Sequence, residues 1–276
     1  MTSEAGRWSR LEDVVDVEAL RERHVLVVGV GSGGSTVALE LAKAGVGRLT
    51  LVDPDRLEEA NVVRHECDDR SLGRNKAEAV RELVHHRNPD ARVEAIPLDV
   101  FAVEGLAGLV AGADLVAVCT DVEPPKHLLN RTALAAGVPA AYAGVYARGV
   151  GGEVIACAAG PVDPCYACVV SALKDSASPA AEEDLDYGAI GPDGTIHGAP
   201  GLGLDVRLVA LLHARVCLRL LLGDSAPAPV LLFGTEAVPG LFPRPFASAL
   251  VSVAIREDCL VCGPIRADLM SAEAPR

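Results

Sequence analysis

The sequence predicts an α/β fold: a doubly wound, Rossmann-like, mostly parallel sheet extended by antiparallel strands, with a four-cysteine zinc site. Three features carry that prediction. Apolar runs alternate with helix-forming segments through the first half of the chain. A Gly-x-Gly-x-x-Gly turn stands between the first run and the helix after it. Four of the eight cysteines fall into two Cys-x-x-Cys pairs in the second half. With 276 residues the chain can bury one large core, which favours a single α/β unit with appendages over two full domains.

Half of the residues are hydrophobic but only 3% are aromatic, so the core is built from Ala, Val and Leu, and stacking platforms for bases are not expected. A formal charge of -13 is a poor field for a polyphosphate backbone and disfavours a general nucleic-acid binder. The richest late stretch, Leu202 to Leu222, is broken by Asp205, Arg207, His213, Arg215 and Arg219, so no membrane span is expected there. The opening Met-Thr-Ser-Glu lacks a basic region followed by an apolar run. A cytoplasmic protein is therefore expected, and its cysteines fit metal or thiol chemistry better than disulfides.

Residues 1–23 read as an N-terminal arm, amphipathic through Val14, Val15, Val17 and Leu20. His24 to Val30 is a buried strand, Ser35 to Ala44 a helix, and Arg48 to Val52 a second strand ending at Asp53. Asn75 to His86 has helical spacing, Arg92 to Leu98 reads as a strand, Val103 to Val110 as a helix and Ala113 to Cys119 as a buried strand. Beyond Gly137, the β-rich runs Val138 to Arg148 and Gly152 to Ala158 flank Gly149 to Gly151 as a hairpin, which adds antiparallel strands. Lys174 to Pro200 is polar, acidic and rich in Gly and Pro, a candidate mobile crossover or lid. Val206 to Leu222 is a long helix, and Val230 to Ile255 supplies short strands. Residues 24–276 thus form one unit, with a nucleotide-binding half at 24–137 and a second half at 138–276.

Gly29-Val30-Gly31-Ser32-Gly33-Gly34 places Gly29, Gly31 and Gly34 where a tight turn presents backbone amides to phosphate. Asp53 ends the next strand, where a carboxylate can accept hydrogen bonds from both hydroxyls of a ribose. Asp55, Asn61, Arg64 and Lys76 follow, a set that a nicotinamide enzyme does not need. Attack at the α-phosphate of ATP does need it, because cations must offset charge as pyrophosphate leaves. Asp121, in Cys119-Thr120-Asp121 at the carboxyl edge of the fourth strand, is placed to hold Mg²⁺ against the phosphates. Cys165-Tyr166-Ala167-Cys168 and Cys259-Leu260-Val261-Cys262 supply four thiolates suited to tetrahedral structural Zn²⁺. A redox dithiol would use one pair and leave the other idle. Cys67, Cys119, Cys157 and Cys217 read as buried small residues.

The run Gly29 to Lys76 and the Cys119-Thr120-Asp121 element resemble the E1-like adenylyltransferases, the group of MoeB, ThiF and ubiquitin-activating enzymes, and the likeness covers nearly the whole chain. It implies that Asp53 holds the ribose, that Asn61, Arg64 and Lys76 hold the phosphates, and that Asp121 coordinates Mg²⁺. Arg7-Trp8-Ser9-Arg10 resembles an Arg-aromatic-x-Arg element whose second Arg, here Arg10, reaches the ATP of the other subunit of a homodimer. The two cysteine pairs recur in MoeB-like and ThiF-like enzymes, where zinc staples the C-terminal region to the sheet. The reaction implied is adenylylation of a carboxylate, with the Gly-Gly tail of a ubiquitin-like sulfur carrier protein as partner, lying beside Gly144 to Gly152 and under the crossover.

The sequence departs from the family at two places that flank the anchors. His65 stands where Asn-Leu-x-Arg is usually followed by Gln, and Val122 stands where Asn usually follows Cys-Thr-Asp. ATP chemistry is expected to survive, with an altered carboxylate pocket. The crossover Lys174 to Pro200 holds no cysteine, so the bound adenylate is expected to be the last intermediate on this protein. His197 in that loop reads as solvated. A peptide or small carboxylic acid remains open as the substrate. An NAD(P)-dependent oxidoreductase or a nucleotide-sensing scaffold would leave Arg64, Lys76 and Asp121 without a role.

Overall fold

The computed structural model describes residues 6–11, 13–160, 163–176, 201–224 and 228–265. Its centre is one eight-stranded sheet in the order β3-β2-β1-β4-β5-β6-β7-β8. The strands β1 (His24–Val28), β2 (Arg48–Val52), β3 (Arg92–Ile96), β4 (Leu115–Val118) and β5 (Ala140–Val145) run parallel. β6 (Gly151–Cys157), β7 (Val230–Gly234) and β8 (Ser248–Val251) continue the sheet antiparallel. All residues of β1 and β4 are buried, which explains why these segments read as unbroken apolar runs: a strand covered on both faces has no polar side to alternate with.

Of the helices, α1 (Val17–Arg21) closes the arm, α2 (Ser32–Ala44) follows β1, α3 (Glu59–Val62) and α4 (Lys76–Arg87) lie between β2 and β3, and α5 (Leu106–Ala111) precedes β4. α6 (Glu123–Ala136) precedes β5, α7 (Tyr166–Ser176) follows β6, and α8 (Gly203–Leu221) precedes β7. One face of the sheet packs against α2, α4 and α8, the other against α5, α6 and α7, giving two separate cores of Ala, Val and Leu. The hairpin β5–β6 is present as expected. No helix among the described residues is long and apolar enough to cross a membrane.

Several boundaries differ from the sequence expectation. α2 begins at Ser32, three residues early, so Gly33 and Gly34 sit inside its first turn despite their low helix propensity. The helix expected from Val103 begins at Leu106, after the left-handed Gly105. α7 and the single-turn α3 were not expected at all. Because α7 runs to Ser176, the crossover cannot start at Lys174. The rest of that crossover, with His197, lies outside the described residues.

Among the described residues, His24, His65 and His213 are buried. His24 contacts the Gly112 carbonyl and Thr50 hydroxyl, and burial lowers its pKa. Burial likewise lowers His65, and it brings His213 down to about 4. Unfolded histidines take up a proton near 6.5 while these three remain neutral, so the unfolded state binds more protons as pH falls. Their stabilisation is present above about pH 6.5 and is lost as pH falls towards the folded-state values. A shift from 6.5 to about 4 at His213 corresponds to roughly 3 kcal/mol. Thermal melting should accordingly fall between pH 7 and 4.5. His213→Gln should flatten that slope, and an equally steep profile in the variant would remove His213 as its main source.

Candidate active site

The chain passes from β1 outward to β3 and then crosses back to β4, so the switch point of the sheet lies between the carboxyl ends of β1 and β4, where such folds bind nucleotides. The glycine turn follows β1 and Asp121 follows β4, and both line one cleft of 1430 Å³. That volume exceeds the roughly 300–1,000 Å³ of an ordinary small-ligand pocket. The cleft also runs on past β5 and β6 to residues around β8.

The glycines of the turn divide by cause. Gly29 has φ +84°, and a Cβ there would lie 2.8 Å from the Cys119 carbonyl oxygen. A Cβ on Gly34 would overlap the carbonyl oxygen of Gly29. These two are required by the protein's own backbone. Gly31 and Gly33 have open space beside them and line the cleft. Gly31 caps α2 without a side-chain hydrogen bond, which leaves the first amides of the helix for an anion. Gly34→Ala should lower stability by about 1–3 kcal/mol. Gly33→Ala, free of any collision and better in a helix, should raise it by up to about 1 kcal/mol. Denaturant titration checks both, and a harmless Gly34→Ala would refute the close packing of α2 on the turn.

Val30 is held at both its backbone groups. Its N–H donates to Asp53 Oδ2 at 2.7 Å, and its carbonyl lies 2.8 Å from His65 Nε2. The Cys67 N–H donates to His65 Nδ1 at 3.0 Å, so the ring proton sits on Nε2. His65, expected to alter the carboxylate pocket, therefore also braces the glycine turn. Asp53 is buried and accepts a second N–H, from Asp55, at 2.9 Å. Burial raises its pKa, partly offset by these hydrogen bonds and by Lys76.

Asn75 is a functional neighbour that the sequence reading passed over. It caps α4 through its side-chain oxygen, and its Nδ2 donates to the carbonyls of Asp53 and Asp55 at 2.9 and 3.0 Å. An Asn ahead of a helix-forming run was the available signal. The cap sets Lys76 at the first helical position, where its Nζ meets Asp55 Oδ2 at 2.8 Å. Lys76 has a side chain only 12% exposed, whereas Asp55 is 63% exposed, so the pair can open towards a ligand with little loss on the Asp side. Asn61 and Arg64 line the same wall, with Asn61 Oδ1 already accepting the Glu58 N–H. Asp121 lies opposite, exposed. It does not cap α6, whose cap position is Val122 with no side-chain bond. Arg10 is exposed on the arm and does not line the cleft of its own chain.

Further along, the cleft holds polar groups no motif announced. Tyr146 hydrogen-bonds the Glu153 carboxyl, whose pKa burial raises. Lys126 Nζ pairs with Glu123 at 2.9 Å, and the Tyr166 hydroxyl donates to both Glu123 oxygens at 3.0 Å. Burial works against the Glu123 charge, but Lys126 and Tyr166 outweigh it and leave its pKa below the usual range. The four cysteines of the two pairs gather behind this region. Sulfur separations are 3.8 Å for Cys165–Cys168, 3.8 Å for Cys165–Cys259 and 3.5 Å for Cys168–Cys262. Thiolates placed tetrahedrally at about 2.3 Å from zinc would stand about 3.8 Å apart, so the cluster fits a tetrahedral metal ion. The other four cysteines stay apart from it, and burial raises Cys67 to about 11 and Cys119 to about 12, a poor setting for a nucleophile.

Fold and site together define a doubly wound α/β protein with one large cleft at the switch point of its sheet and a four-cysteine cluster that could hold a metal ion. The ThiF family model matches residues 5–238, and the chain belongs to the ThiF family. It is 31% identical to the SAMP-activating enzyme E1 of Haloferax volcanii over 268 residues, covering 95% of this chain and 90% of that one. Against the sulfur carrier protein adenylyltransferase of Thermus thermophilus it is 28% identical over 265 residues, 93% of this chain and 89% of that one. Against the molybdopterin-synthase adenylyltransferase of Escherichia coli it is 32% identical over 180 residues, 65% and 71% of the two chains. Among solved structures, E. coli MccB superposes with a TM-score of 0.73 at 21% identity, over 95% of this chain and 74% of that one, a likeness of fold.

Proposed function

We propose that the protein adenylylates the C-terminal Gly-Gly carboxylate of a ubiquitin-like sulfur carrier protein, using ATP and Mg²⁺ and releasing pyrophosphate. The observation that carries this reading is the single cleft that joins the glycine turn, Arg64, Lys76 and Asp121 to the β5–β6 region, with room for a nucleotide and an extended tail. Relatives named SAMP-activating enzyme E1 and sulfur carrier protein adenylyltransferase support it over a small-acid or nicotinamide substrate.

In this reading Asp53 and the turn amides hold ribose and phosphate, while Asn61 Nδ2, Arg64 and Lys76 bind the phosphate oxygens. Asp121 is the carboxylate that holds Mg²⁺, and the ion supplies charge compensation for the triphosphate. A carboxylate oxygen of the tail attacks the α-phosphorus, a new P–O bond forms, and the bond to the β-phosphate oxygen breaks as pyrophosphate leaves. The four-cysteine cluster is a structural Zn²⁺ site. Exchange of labelled pyrophosphate into ATP tests the reading: it should require an added carrier ending in Gly-Gly and vanish when that carboxylate is amidated. Exchange without any carrier, or with the amidated one, would count against it.

Arg10, which does not line its own cleft, serves the partner's ATP in a homodimer. Arg10→Ala should be slow, and mixing it with Lys76→Ala should partly restore exchange by assembling one intact site. No recovery on mixing would refute the cross-subunit role.

A further inference from the structure

Tyr166 stands between the two cysteines of the first pair, yet its hydrogen bonds lie on α6. Glu123, His127 and Asn130 fall on one face of that helix at i, i+4 and i+7. All three hold Tyr166. Glu123 accepts its hydroxyl through both carboxylate oxygens at 3.0 Å, and Asn130 Oδ1 accepts its backbone N–H at 3.0 Å. The His127 ring meets its ring edge-on with centroids 5.6 Å apart, and Tyr142 of β5 stacks on it at 4.4 Å. The tyrosine therefore spans two turns of α6 from a backbone position that Cys165 and Cys168 fix.

What it holds belongs to the cleft. Glu123 opens α6 two residues after Asp121, and it anchors Lys126, whose side chain is 9% exposed and lines the cleft. A buried ammonium on a flexible stem takes its place from its charged partner, so the phenol that orients Glu123 also orients Lys126. We propose that Tyr166 is a positioning residue that links the cysteine cluster to the active cleft, setting the first turn of α6, with Asp121 at its head and Lys126 within it, according to metal occupancy. The consequence for nucleotide binding rests on the Mg²⁺ role given to Asp121 above; the mechanical link does not.

The test uses the full chain with its four tyrosines replaced by 3-fluorotyrosine, the Tyr166 signal being assigned by its loss in Tyr166→Phe. The fluorine resonance of Tyr166 should shift when zinc is removed by a chelator and return when zinc is restored. Calorimetry with MgATP should show Tyr166→Phe binding on the order of three- to tenfold more weakly at unchanged zinc content. ATP without Mg²⁺ should bind it as it binds the wild type. Glu123→Gln, which leaves the cysteine loop untouched, should reproduce that loss and guards against a misfolded Tyr166 variant. A Tyr166 resonance indifferent to zinc, or MgATP affinity equal to wild type in both variants, overturns the proposal. Asp121→Asn with its Mg²⁺ dependence intact would instead refute the metal role of Asp121, and the resonance shift would still decide the link.

Discussion

Lys76→Ala and Asp121→Asn are each expected to reduce carrier-dependent adenylylation by about 100-fold or more while the protein stays folded. The structure explains why activity and stability should separate. Lys76 owes its position to Asn75, which caps α4 through its own side chain, so truncating Lys76 leaves the cap and the ties to Asp53 and Asp55 in place. Its ion pair is with a largely exposed Asp55, and exposed pairs contribute little to stability. Asp121 caps nothing and is exposed. Removing either charge should therefore spare the fold and, in the proposed reading, weaken the hold on the triphosphate. Near-normal exchange in either variant, with wild-type melting, would remove that residue from the site.

Cys262→Ser is expected to have the largest effect on stability. Cys262 is fully buried, and its sulfur lies 3.5 Å from that of Cys168. The purified protein should carry one Zn²⁺ per chain, and the variant should carry none. Structural zinc supplies on the order of 10 kcal/mol in small zinc domains. Here a large separate core absorbs part of the loss, so the variant should melt earlier and lose the segment around residues 255–265 first. Hydrogen exchange confined to that segment and to α7 would report it. A wild type without zinc, or Cys259→Ser with full occupancy, would contradict the assignment.

The parts of this fold that were legible in the sequence are those where local pattern and tertiary demand coincide. β1 and β4 are buried on both faces and so announce themselves as apolar runs. The glycine turn was legible as a motif, but not the start of α2, because the contact of Gly34 with Gly29 carries the helix through two poor helix formers. α7 was hidden by the cysteine pair it begins in, since a metal hook and a helical turn compete to explain the same spacing. The cysteine cluster could be counted before it was seen.

The candidate site divides in the same way. Asp53 and Asp121 follow strand ends, whereas Arg64 and Lys76 stood out only together, through the family resemblance; all four line the one cleft. The Tyr166–Glu123 bond joins residues 43 apart in sequence, and Glu153 meets Tyr146 only because the β5–β6 hairpin places them together. No local pattern encodes either contact. His65 shows a third case: expected to alter the carboxylate pocket, it lines the cleft and also braces Val30, a contact no motif encodes.

The most direct measurement follows the oxygen. A ubiquitin-like sulfur carrier with its terminal carboxylate labelled with ¹⁸O is incubated with the protein, Mg²⁺ and ATP, and hydroxylamine is added to intercept the activated acyl group. Attack of the carboxylate on the α-phosphorus requires that one labelled oxygen leave in AMP, with unlabelled pyrophosphate and a hydroxamate on the carrier. Label in inorganic phosphate together with ADP, or AMP free of label, would show that the α-phosphorus is not the electrophile and would contradict the account.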